Sequence, residues 1–151
     1  MFHLVEQRVS QQNAGTLIQF TAKIDYSDNS SVLLNSLDAF RTHVEVRPIA
    51  SVAVHLSWTY LIQFQGKTAP EKQQIDVTLH GASKFAVQTE SGLISGPGGY
   101  IFIRISHTAR TWGVDMESLL LGHFRTLIRA EPKIARRFKN LLPVEAASKT
   151  D

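Results

Sequence analysis

The stretch "SVAVHLSWTYLIQFQG", residues 51–66, decides the fold. Val52, Val54, Leu56, Trp58, Tyr60, Ile62 and Phe64 hold every second position, and Ala53, His55, Ser57, Thr59, Leu61 and Gln63 lie between them. A period of two kept over this length specifies a long strand with one face in a core. Its second face is mixed rather than charged, which suits partial cover or an interface.

Three further runs repeat the pattern. Ile18, Phe20, Ala22, Ile24 and Tyr26 alternate with Gln19, Thr21, Lys23 and Asp25. Ile75, Val77 and Leu79 alternate with Asp76 and Thr78, and Ile101, Ile103 and Ile105 with Phe102 and Arg104. Strands with one polar face belong to antiparallel sheets, because parallel strands covered on both sides read as continuous apolar runs. The linkers "QQNAG", "SDNSS", "GKTAPEK" and "SGPGG" carry the residues that turns need. Val5–Val9 reads as a short strand ahead of the first linker, and Val32–Leu34 and Leu93–Ile94 as others. "SLDAF" offers Ser36 as the cap of one helical turn.

The period changes in the last third. Met116, Leu119, Leu120, His123, Phe124, Leu127 and Ile128 recur at spacings of three and four, which specifies an amphipathic helix over Val114–Arg129. Pro132 is placed to start a second, short helix, with Ile134, Phe138 and Leu141 on one side and Lys133, Arg136, Arg137 and Lys139 on the other. Strands first and helices last give an α+β class. The expected architecture is an antiparallel, meander-type sheet of about six to seven strands. One long C-terminal helix packs on one face and a short basic helix follows it. Residues 1–142 form one domain, and 143–151 a flexible tail.

Composition narrows the function. The chain has 151 residues, 43% of them apolar and 19% charged, with a net charge of +3. These are ordinary values for one globular domain. It has no cysteine, which removes disulfides, thiol nucleophiles and cysteine metal sites. No apolar run approaches the ~20 residues that span a bilayer, and the N-terminus lacks the apolar stretch of a signal peptide. The expected setting is the cytoplasm, on its own or against a membrane surface.

The corner "RISHTART", residues 104–111, carries the candidate ligand site. A helix N-terminus presents unpaired N–H groups to an anion, and Arg104, His107, Thr108, Arg110 and Thr111 would add charge and donors. The structural alternative makes Thr111 the helix cap and Asp115 the answer to the helix dipole. The six histidines show no HExxH pattern and no pair four apart, so no metal and no cofactor are expected. "HLSW" at residues 55–58 is half of a paired His-x-Ser arrangement, and the chain lacks the other half.

The function that fits is a non-catalytic binding or interaction module of the sensor or adaptor type. It would associate with itself or recognise an anionic ligand, a protein partner or a membrane surface, with Lys133, Arg136, Arg137 and Lys139 as the contact patch. A first alternative is an enzyme acting on a phosphorylated substrate, with His107 as acid–base group. A second is a nucleic-acid-binding protein that uses the basic C-terminal helix.

Overall fold

The computed structural model describes residues 1–12, 14–81, 85–88, 93–96 and 99–130. The short basic helix expected after Pro132 and the tail 143–151 lie outside them. The chain is α+β. Helix α1 (Phe2–Gln12) precedes β1 (Ala14–Tyr26), β2 (Ser31–Leu34) and helix α2 (Leu37–Thr42). Then come β3 (Ser51–Gln63), β4 (Glu71–Gly81), β5 (Phe85–Gln88), β6 (Leu93–Gly96), β7 (Gly99–Ser106) and helix α3 (Arg110–Ala130).

Five strands form a continuous antiparallel sheet in the order β2-β1-β3-β4-β7. The β5–β6 hairpin joins beyond β7, with β5 running parallel to β7 through Ala86↔Tyr100 and Gln88↔Phe102. That parallel step departs from a simple meander: β7 returns to lie between β4 and β5 instead of adding outside β6. The 13-residue β1 and β3 form the spine, and each extends about 43 Å at ~3.3 Å per residue.

The even-numbered face of β3 enters the core as its alternation requires. Leu56, Trp58, Tyr60 and Ile62 are buried with Phe20, Ala22, Ile75, Val77, Ile101 and Ile103 of the neighbouring strands. Burying a side chain of this size stabilises the fold by about 1.5–3 kcal/mol, so these strands supply most of the driving force. On β1 the register shifts between Leu17 and Gln19. The bulge reverses the side-chain alternation. Leu17 therefore packs on the core, while Ile18, expected inside, is 51% exposed.

Val5–Val9, expected as a strand, belongs to α1. The two valines suggested extended chain through their β-branching, yet with Phe2 they are spaced three and four apart. That is one helical face. Val5 and Val9 are fully buried, and the Phe2 ring meets Phe20 edge-on at 5.6 Å. The sheet is consequently roofed by two helices on the same face. α3 contributes Trp112, Met116, Leu120 and Phe124, each one turn from the next. His123 lies half-buried beside Phe124, and burial pushes its pKa below the usual histidine value. Leu127, also on the expected apolar stripe, is 50% exposed, so the cover thins at this end of α3.

Ser36 caps α2 as the sequence indicates, its Oγ accepting from Ala39 N–H at 3.0 Å. The following loop is tied back to the sheet by Tyr26 and His43, 2.8 Å apart, and by Arg47 over the Tyr26 ring.

Candidate functional site

With α1 and α3 on one face, the odd-numbered side chains of β3 lie on the other. The registers set out what stands there. One row across the sheet reads Leu33, Lys23, His55, Thr78 and Phe102, and the next reads Thr21, Ser57, Asp76 and Arg104. On the other side of the first row lie Asp25, Ala53, His80 and Tyr100.

The centre of this face is a connected polar network. His55 Nε2 lies 2.8 Å from Asp25 Oδ2, and His55 Nδ1 lies 3.1 Å from Thr78 Oγ1. A carboxylate only accepts, so Nε2 carries the hydrogen and donates to Asp25, while the Thr78 hydroxyl completes the contact at Nδ1. The His55 hydrogen bond, joined by one from Lys23, holds the Asp25 carboxyl below its usual range. In the adjacent row Ser57 Oγ donates to Asp76 Oδ1 at 2.7 Å, and Gln74 Nε2 donates to the same carboxylate at 3.0 and 3.1 Å.

Aromatic groups flank the network on β4 and β7. His80 and Tyr100 stack with ring centroids 4.8 Å apart and planes within 5° of parallel. The Arg104 guanidinium lies over the Phe102 ring at 5.6 Å. Tyr100 is 39% exposed. At the same end of β3, β4 and β7 a cavity of about 240 Å³ is bounded by residues of both faces, Val54, Leu79 and Ile101 from the helix-covered one and Ala53, His80 and Tyr100 from the other.

The strand-to-helix corner is arranged differently from the sequence expectation. Arg104 lies on the open face, directly across from Asp76 and away from α3. Thr108 is held by Gln73, which is fully buried, and its hydroxyl donates to Glu71 Oε2 at 2.5 Å. That bond keeps the Glu71 carboxyl below its usual range, and a charged carboxylate at the corner opposes an anion there. The His107 ring sits against Gly113 in the first turn of α3. Arg110 and Thr111 are exposed helix residues. Thr111 is not the cap: the helix begins at Arg110, and Gly113 N–H donates to Ala109 O at 3.0 Å. Asp115 pairs with Arg8 of α1 at 2.6 Å. The five corner residues are therefore not gathered into one pocket. Lys133, Arg136, Arg137 and Lys139 lie outside the described residues.

Sequence reasoning placed His55 and Ser57 on one polar face but missed Asp25, Thr78, Asp76, His80 and Tyr100 as their companions. The missing signal was strand register: alternation gives the face of each residue, and only pairing gives its neighbours. Among the described residues no group of three or more His, Asp or Glu side chains gathers as a metal would require. Among them, too, no helix is long and apolar enough to cross a membrane.

The chain matches no family model, no curated protein and no solved structure to which it was compared.

Proposed function

We propose that this protein is a non-catalytic recognition module of the sensor or adaptor type, and that the open face of its sheet is the recognition surface. One observation carries the reading. Both long helices roof the same face, while the other presents a hydrogen-bonded polar field with stacked rings along its β4–β7 side. Side chains already fixed by mutual hydrogen bonds lose little freedom on binding, and exposed Tyr and Arg are the residue types that anchor interfaces. The same surface would serve self-association of two copies.

The phosphoryl-enzyme alternative draws less support. It needs His107 beside Arg104 or Arg110 in one cleft, whereas the His107 ring packs on Gly113, Arg104 belongs to the opposite face and Arg110 is an exposed residue at the start of α3.

The absence of cysteine allows a direct test. Single cysteines replace Lys72 or Ser106 on the open face and Val114 or Ser118 on the exposed side of α3. Maleimide labelling is then compared between the purified protein and the source-cell extract. Protection in the extract at residues 72 and 106, with residues 114 and 118 still reactive, supports the proposal. Equal labelling at all four positions in both samples ends it.

A further inference from the structure

We infer that the β4–β7 side of the open face binds a planar base carrying a phosphate: a nucleotide, either free or within a single strand. The inference rests on the recognition reading above and specifies its ligand.

Two features converge. The first is a stacking surface. Tyr100 and Phe102 stand on the same side of β7, two residues and so about 6.6 Å apart. His80 backs Tyr100 by parallel stacking at 4.8 Å, which leaves the more exposed tyrosine ring prearranged to receive another ring. Bases stack on such side chains with little regard to sequence, because each has a π-face.

The second is a spare cation. Asp25 is engaged by His55 and Lys23, and Asp76 by Ser57 and Gln74. Arg104 has no ion-pair partner among the described residues, although Asp76 is its neighbour in register. Its guanidinium lies over Phe102, next in line after Tyr100 on this side of β7. An arginine fork beside a ring places phosphate donors where the backbone of a stacked base would run.

Trp58 and Tyr60 of β3 are buried under the helices and take no part.

The test is fluorescence anisotropy of a fluorescein-labelled dodecameric oligouridylate with the full chain at low salt. Saturable binding that weakens as salt rises is expected. Tyr100→Ala and Phe102→Ala should each weaken it by about tenfold, the scale of one lost base stack. Arg104→Gln should weaken it and flatten the salt dependence. A variant with Lys133, Arg136, Arg137 and Lys139 all changed to Gln should keep the dependence on Tyr100. Unchanged melting of each variant excludes misfolding as the cause.

Displacement of the probe by millimolar uridine monophosphate would assign the site to a free nucleotide, and retention would assign it to a strand; both agree with the inference. Absence of binding by the parent chain overturns it. So does binding that ignores Tyr100, Phe102 and Arg104 and disappears with the four C-terminal changes. If residues 72 and 106 stay protected in extract after nuclease treatment and dialysis, recognition by the open face survives and the nucleotide assignment falls.

Discussion

Gln73 and Thr108 lock the strand-to-helix corner through a reciprocal pair of hydrogen bonds. Thr108 N–H donates to Gln73 Oε1 at 2.9 Å, and Gln73 Nε2 donates to Thr108 Oγ1 at 2.8 Å. The Thr108 hydroxyl hydrogen goes on to Glu71. Gln73 is fully buried, so both ends of its amide depend on this one residue. Gln73→Leu keeps the bulk, removes the buried amide and leaves the Thr108 N–H without its acceptor. A destabilisation of about 1–3 kcal/mol is expected from urea unfolding. Thr108→Val should lose part of the same energy. The double variant should cost less than the sum, since both changes break one network. Strict additivity would mean that the corner is held elsewhere.

Gly15 records how closely α1 approaches the sheet. A Cβ at this position would collide with Val9 Cγ1, a branched side chain that is itself buried. Gly15→Ala should therefore destabilise the protein by about 1–3 kcal/mol through overpacking. Adding Val9→Ala should return part of that loss, which a denaturation midpoint will show. If Gly15→Ala is neutral, the helix does not lie where these contacts put it.

These two positions also show what the sequence could and could not reveal. The long alternations of β1, β3, β4 and β7 were legible because one face of each strand is buried and the other is polar. α3 was legible because Met116, Leu120 and Phe124 repeat at four. α1 was not, because Val5 and Val9 alone fit either period, and only Phe2, an odd number of residues from both, favours the helix. The bulge at Ile18 left no local mark, since a bulge is a property of the pairing. The candidate site failed for a related reason. Residues 104–111 are close in sequence, but a strand turns successive side chains to opposite faces, so Arg104 parts from the corner that follows it. His55 acquires Asp25 and Thr78 only once three strands are aligned.

Tyr60 tests the polar side of the core. Its hydroxyl is buried without a hydrogen-bond partner among the described residues, and burial, assisted by Glu6, pushes its pKa well above the usual tyrosine value. A buried unpaired hydroxyl is a cost that phenylalanine does not carry. Tyr60→Phe is expected to leave stability unchanged or to raise it by up to about 1 kcal/mol, read as an increased melting temperature. A loss above that size would reveal a bond made by this hydroxyl.

Glu45 and Arg47 make the acid sensitivity of the loop before β3 predictable. Both Glu45 carboxylate oxygens accept from the Arg47 side chain at 2.9 Å, and Oε1 also accepts from Arg47 N–H at 3.0 Å. These bonds, with the guanidinium charge, lower the Glu45 pKa from 4.5 to about 2. Between those values the unfolded chain binds the proton that the folded chain refuses, so stability rises with pH through this window. The contribution is complete above about pH 4.5 and fades as the pH falls toward 2. Glu45→Gln removes the titration, so its melting temperature should follow pH less steeply across this window while lying lower at neutral pH. Asp25, Asp28 and Glu71 are also held below their usual ranges, so part of the acid limb should persist. An acid limb identical to the parent's would show that the bidentate pair does not form in solution.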